Sequence, residues 1–460
     1  MLSLFKNTVQ KSNIAVLDGV RAVACLIVIA FHINLKTMVM DIWGPSSRIG
    51  PLTSAIAMTG YVGVTLFFVL SGLLLFMPYV KALLFEKQWP TMKEFYLRRA
   101  LRILPGYYVS LVLLILLTAP QYLHPGHLKE LGLFLTFFMD SVPATYQKVN
   151  GPFWTLAVEW QFYMLLPLMA LGLRWMVRHI GGDSLQRRWW TVVGCLVGLF
   201  AWGIFSRYWG GYFVEHADQT FLVPRSVLNV FIFFLYGSNG KYMEDFAIGM
   251  LISSCFVLSQ QVSVRHRLRT LVDEIQRRSL WIWGAGIIVL LFMTMWDGNQ
   301  WFRHSIPIFD PLYGPYAWLS ESGFALGFGL CVLALLFGPG SLRLPFEWGP
   351  LRWIGLLSYS LYIWHLPIIL AFVKHVQPLI PKWHQYLTYG LFWVCVLVVI
   401  IPFSFVFFKL IEQPWINLGN SLRKRKETVK GCDERRDETE QQVIQVGGSS
   451  AKEVVGSAQG

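Results

Sequence analysis

The chain has 460 residues, of which 55% are hydrophobic, 16% aromatic and 14% charged, with a mean hydropathy of +0.50 and a formal net charge of +13. Soluble domains carry about a quarter charged residues, so these figures exclude an ordinary soluble enzyme and, outside the C-terminal tail, a disordered chain. The basic residues fall in short blocks between apolar runs, which is a pattern of membrane topology, and no nucleic-acid partner is expected.

Residues 1–14 form a short N-terminal segment. Lys6 and Lys11 precede the apolar run 22–31, which imitates a signal peptide. Asp18 and Arg21 at its edge, and no small-x-small site after it, mark it instead as a first span. A crossing helix needs about 20 mostly apolar residues. Such runs appear at 15–35, 58–78, 101–119, 154–173, 191–209, 243–259, 280–296, 319–338, 353–373 and 386–408. Two others, 128–140 and 221–237, are shorter or interrupted. Basic blocks lie at 81–102, 174–188, 265–278, 343–352 and 423–426. Ten crossings with a cytoplasmic N-terminus place every block inside, as the positive-inside bias favours. The expected fold class is therefore an all-α polytopic membrane protein of about ten transmembrane helices. Both termini are cytoplasmic and the two short segments re-entrant or interfacial; twelve spans is the alternative.

The transmembrane domain is expected over 15–415 and a disordered cytoplasmic tail over 416–460, where charges, then Gly, Ser and Gln, replace apolar residues. Chemistry is expected inside the bundle. Five cysteines sit in apolar runs and Cys432 in the tail, with no spacing that suits a disulfide framework or a metal site.

Charged side chains within a span cost about 2.5–3.5 kcal/mol on insertion scales, so each is a functional hypothesis. Those singled out are Arg21 and His32 in the first span, Glu159 in the fourth, Glu321 in the eighth and His365 in the ninth. Arg21 and His32 are separated by about three helical turns, so both project from one face roughly 16 Å apart. Asp18, one turn before Arg21, can pair with it. Arg98, Arg99 and Arg102 gather at the inner mouth of the third span. Their guanidinium forks suit a phosphorylated ligand, although stop-transfer charge or lipid-headgroup contact fits the spacing as well. Glu159 needs a partner. His32 would give a carboxylate–imidazole pair able to take a hydroxyl proton; an arginine of the third span would give a structural salt bridge. Glu321 is expected at the external interface. Tyr359, Tyr362 and His365 share a register that could line the same cavity or pack structurally.

These pieces together resemble the acyltransferase-3 family of integral-membrane O-acyltransferases, from about Leu17 to Pro414. The motifs that carry the resemblance are Leu17-Asp-Gly-Val-Arg-Ala-Val-Ala24 followed by His32, an Arg-x10-His pattern, and Phe67-Phe-Val-Leu-Ser-Gly72, which contains Ser71. They continue with Arg99-x-x-Arg102, Trp154-Thr-Leu-Ala-Val-Glu159, Ser358-Tyr-Ser-Leu-Tyr-Ile-Trp-His365 and Ile411-Glu-Gln-Pro414. Trp160 stands where the family often has a second glutamate, and 221–237 looks like additional material ahead of Phe246-Ala-Ile-Gly249. The resemblance implies transfer of an acyl group, commonly acetyl, from cytosolic acyl-CoA as co-substrate, without a bound cofactor. The acceptor would be a hydroxyl of a glycan or other cell-surface or lipid-linked molecule, and the location a bacterial inner membrane. It implies coenzyme A phosphates held by Arg99 and Arg102 with Arg98 and Arg21. His32 would serve as general base or transient acyl carrier, and Glu159 would carry any carboxylate role alone. The rival expectation is an exporter of a glycan or lipid intermediate with the same polar interior; a sensory or scaffolding protein acting through its tail is a third. The acceptor pocket would depend on external loops 36–57, 119–153, 210–242 and 297–318.

Overall fold

The computed structural model describes residues 14–38, 50–261, 267–302, 306–380 and 385–422; residues 1–13 and the tail from 423 lie outside the described residues. The chain runs through α1 (Ala15–Thr37), α2 (Gly50–Met58), α3 (Gly63–Phe85), α4 (Met92–Thr118) and the short α5 (Leu128–Leu135). It continues through α6 (Phe153–Met176), α7 (Leu185–Glu215), the short α8 (Arg225–Leu235), α9 (Met243–Gln261) and α10 (Leu268–Arg277). The last third comprises α11 (Ser279–Trp301), α12 (Tyr313–Phe337), α13 (Gly340–Arg343), α14 (Gly349–Leu356), α15 (Ser358–His375), α16 (Gln385–Cys395) and α17 (Ile401–Phe407). No strand occurs among the described residues, and the chain is an all-α polytopic membrane protein.

Nine stretches of the described residues are long and apolar enough to cross a membrane, and they match nine of the ten expected runs. The tenth is α9. Its 19 residues span about 28 Å, but Glu244, Asp245, Ser253 and Ser254 dilute its apolarity, and all four are buried. Because α9 packs against α3, α7 and α12, protein surrounds much of it, and polar side chains are tolerated where lipid would reject them. Helices α5 and α8, with 8 and 11 residues, are too short to span, in keeping with the two short segments expected there. The last span runs Tyr386–Leu422, longer than the expected run 386–408 and past the domain boundary expected at 415.

The outer faces of the crossing helices carry exposed apolar side chains, such as Val112 and Leu116 on α4 and Leu397 and Val398 after α16. On a bundle of this composition such faces meet lipid. The loops rich in basic residues collect at the end where α1 begins. There Arg188 meets Glu86 at 2.6 Å, the Arg174 guanidinium lies 4.8 Å over the Trp89 ring, and Arg352 lies 3.7 Å from Asp18.

Helices α3 and α9 cross at near backbone contact. A Cβ on Gly72 would lie 2.2 Å from the Phe246 carbonyl oxygen, and one on Gly249 would lie 2.0 Å from that of Val69. Small residues permit such approach, which drives helix association inside a membrane. The crossing also fixes Ser71, the neighbour of Gly72. We expect Gly249→Leu to cost at least the ~1–3 kcal/mol typical of overpacking, measured as loss of the monodisperse peak in detergent. Gly132→Ala, with nothing within 4 Å of the added carbon, should leave that peak intact.

Candidate active site

Two cavities enter the bundle from opposite ends. The inner cleft is narrow and is walled by Arg21 of α1, Ser71 of α3, Arg99 and Arg102 of α4, Glu159 of α6, and Tyr359 and Tyr362 of α15. Glu159 accepts hydrogen bonds from Ser71 Oγ at 2.5 Å and from the Tyr163 hydroxyl. The Arg99 guanidinium lies 6.0 Å over the Tyr163 ring. Tyr359 donates to the Ile103 carbonyl at 2.7 Å, tying α15 to the arginine-bearing helix. Three guanidiniums against one carboxylate leave the wall with a formal charge of +2. Like charges gathered in a partly dehydrated cleft favour occupation by an anion.

The outer vestibule is larger. Its wall contains His32 and Lys36 of α1, Tyr61, Trp154, Tyr242, Trp301 and Glu321. Residues 121, 146–152, 239, 242 and 301, in or beside three of the expected external loops, contribute to it. Loop 39–49 lies outside the described residues. Val64 and Tyr362 belong to the walls of both cavities. The Tyr362 hydroxyl is hydrogen-bonded with that of Thr155 at 2.9 Å, and its ring meets Phe67 edge-on.

His32 is paired, but not with a carboxylate. Its Nδ1 lies 2.9 Å from the Val28 carbonyl and 3.3 Å from Nε2 of His365, whose own Nδ1 lies 3.1 Å from the Leu361 carbonyl. Ring protons are assigned from these partners. A ring nitrogen facing a carbonyl must carry hydrogen, so His365 is protonated on Nδ1 and its Nε2 is an acceptor. His32 is likewise protonated on Nδ1, shared between Val28 and His365. Its Nε2 then holds the lone pair, and among the described residues none hydrogen-bonds that atom. The arrangement is a neutral imidazole with its basic nitrogen left for a ligand in the vestibule.

Arg21 and His32 open into different cavities on the same side of α1. Arg99, Arg102, Ser71, Glu159, Tyr359 and Tyr362 come together in the inner cleft. Of the two partners left open for Glu159, His32 does not pair with it: Glu159 lines the cleft with the guanidiniums of the first and third spans and bonds Ser71 and Tyr163. Asp18 faces Arg352 and lies outside the cleft wall, as does Arg98, which occupies the neighbouring face of α4. His365 is fully buried behind His32 and does not line a cavity. Glu321, expected at the external interface, turns into the vestibule, where it accepts from Thr65 at 2.9 Å.

Sequence reasoning missed the buried ion pairs that brace the vestibule. Arg207 meets Glu244 at 2.7 Å, donates to the Asn239 carbonyl at 3.0 Å and lies 4.5 Å over the Tyr242 ring. Lys241 pairs with Asp140, which also accepts from Gln161 at 2.8 Å. The signal was present: Arg207 falls inside an apolar run, and Glu244 and Asp245 open another.

A family model described as an acyltransferase domain (Acyl_transf_3) matches residues 14–409. The chain is 26% identical over 381 residues to the peptidoglycan O-acetyltransferase OatA of Listeria monocytogenes, covering 77% of this chain and 49% of that protein. It is 26% identical over 397 residues to the O-acetyltransferase OatA of Staphylococcus aureus, covering 79% and 52%. A putative peptidoglycan O-acetyltransferase, YrhL of Bacillus subtilis, is 23% identical over 385 residues, covering 80% and 50%. The chain thus spans about half the length of these relatives. No solved structure matches it. With the family's pattern extending over nearly every helix described above, the chain belongs to the acyltransferase-3 family of membrane acyltransferases.

Proposed function

We propose that this chain is a multi-pass enzyme of the bacterial cell membrane that moves an acetyl group from cytosolic acetyl-CoA to a glycan hydroxyl presented on the other side. The observation that carries the reading is the meeting of two unlike cavities at Val64 and Tyr362, one rich in guanidiniums, the other holding an imidazole with a free basic nitrogen. Arg21, Arg99 and Arg102 hold the phosphates of coenzyme A at the inner end, since guanidinium forks bind phosphate bidentately. The thioester then reaches toward Tyr362 from below. Glu159, fixed by Ser71 and Tyr163, orients the arginine cluster and takes no proton from the acceptor.

Nε2 of His32 accepts the proton of the acceptor hydroxyl as its oxygen attacks the thioester carbonyl. The C–S bond breaks, the coenzyme leaves as thiolate, and the proton on His32 passes to that sulfur, which restores the neutral base. Charge that develops on the imidazole is met by His365 Nε2 and the Val28 carbonyl at Nδ1. The glycan acceptor agrees with the names of the Listeria monocytogenes and Bacillus subtilis relatives and with the aromatic wall of the vestibule.

Purified protein in detergent should consume acetyl-CoA and acetylate a glycan acceptor, read by free thiol and by mass. An exporter of a glycan or lipid intermediate would leave acetyl-CoA untouched, and that result would overturn the reading. His365 is a positioning residue in this scheme. A hydrogen bond to a charged group contributes ~1.5–3 kcal/mol, so His365→Ala should lower kcat about 10- to 100-fold while the donor KM stays within a factor of about two. His365→Gln, whose side-chain oxygen can accept from Nδ1 of His32, should recover much of the loss; equal defects in the two variants would reduce His365 to packing.

A further inference from the structure

The vestibule has a charge pattern that acyl transfer alone does not require. Lys36 at the outer end of α1, Lys148 ahead of α6, and Lys374 with His375 at the end of α15 stand in its wall. They lie on the side from which the positive-inside bias removes lysine. The buried cations behind the same wall are each matched, Arg207 by Glu244 and Lys241 by Asp140. Among the described residues no ion pair engages Lys36, Lys148 or Lys374. Among the described residues the acid in this wall is Glu321, bonded to Thr65, whose neighbour Val64 lines both cavities. Among the described residues, positive charge is therefore concentrated at the mouth. The same wall contains Trp154, Trp301, Tyr61 and Tyr242, whose ring faces offer apolar area with a polar edge, suited to the C–H faces and hydroxyls of a sugar. Lys36 is one helical turn from His32, so the two side chains are neighbours.

Resting on the acyl-transfer reading above, we infer that the acceptor is an anionic glycan, with a carboxylate or phosphate within about one sugar ring of the hydroxyl that is acylated. The lysines hold the anion at the mouth, the aromatic wall packs the ring, and the hydroxyl is delivered to Nε2 of His32. A sugar carboxylate and a sugar or carrier phosphate present the same chemistry to these lysines.

The test is saturation-transfer NMR on the full chain in detergent, with methyl glucuronide, methyl glucoside 6-phosphate and methyl glucoside as probes. At ionic strength near 0.05 M one or both charged probes should bind at least about tenfold tighter than the neutral one. The preference should shrink toward unity near 0.5 M, where charges are screened beyond about 4 Å. It should vanish in Lys36→Gln/Lys148→Gln/Lys374→Gln, persist when the same lysines become arginine, and persist in Lys129→Gln, a lysine outside the vestibule wall. Preference for the glucuronide assigns the anion to a sugar carboxylate, and preference for the phosphate to a phosphorylated sugar or carrier. Equal binding of charged and neutral probes overturns the inference, as does a preference that survives the triple glutamine variant. Binding needs no donor, so the result stands apart from acetyl-CoA consumption by the same preparation, which judges the acyl-transfer reading.

Discussion

His32→Ala should reduce acyl transfer by about 10²–10⁴-fold, the usual contribution of a positioned general base, with no change in membrane insertion or in the monodisperse peak in detergent. The magnitude follows from the ring's environment. Nδ1 is committed to Val28 and His365, so the imidazole cannot rotate to present either nitrogen, and loss of Nε2 removes the base contributed by this part of the wall. The cavity left by the ring opens into the vestibule, so the bundle's packing changes little. His32→Ala/His365→Ala should be no worse than His32→Ala alone, because residues that act as a unit are not additive. Full activity in His32→Ala, measured with saturating donor and acceptor, would remove the catalytic assignment.

That prediction rests on a residue legible in the sequence, and its partner was not. Arg21 and His32 could be placed on one helix face because helical periodicity is local, and the Arg99–Arg102 spacing is local in the same way. His365 lies 333 positions from His32, and no pattern within a helix indicates which distant imidazole will stand behind which. The same locality leaves Glu159 with two candidate partners, His32 and an arginine of the third span, since helix periodicity ranks neither. The depth of Glu159 in α6 puts it at the level of Ser71 and the arginines. Helix α9 shows the complementary gap for the fold. Apolarity reports exposure to lipid, so a helix surrounded by others can carry Glu244, Asp245 and two serines and still belong to the bundle. The vestibule was legible only as a set of external loops. Its wall depends on the Arg207–Glu244 and Lys241–Asp140 pairs, and a buried charge finds its partner through tertiary contact. One feature was readable and undervalued: a lone carboxylate at Glu321 within a long apolar helix requires a polar neighbour, and Thr65 with the vestibule supplies it.

Arg99→Glu should raise the KM for acetyl-CoA by about 100-fold or more and leave binding of a sugar probe in the vestibule unchanged. Reversal alters the cleft wall from +2 to 2 − 2 = 0. It also removes a charge-assisted contact that contributes ~1.5–3 kcal/mol and places a carboxylate where a phosphate is expected. Arg99→Lys keeps the charge and loses the planar fork, so its defect should be smaller, about 3- to 10-fold. The donor's own phosphates provide the control. If Arg99 reads the 3′-phosphate, acetyl-dephospho-CoA should suffer little from Arg99→Glu, because variant and donor then delete the same contact and their effects do not add. If Arg99 reads the diphosphate, the full penalty should persist with the dephosphorylated donor. An unchanged donor KM in Arg99→Glu, with the protein folded, would mean that the guanidinium cleft serves an anion other than coenzyme A.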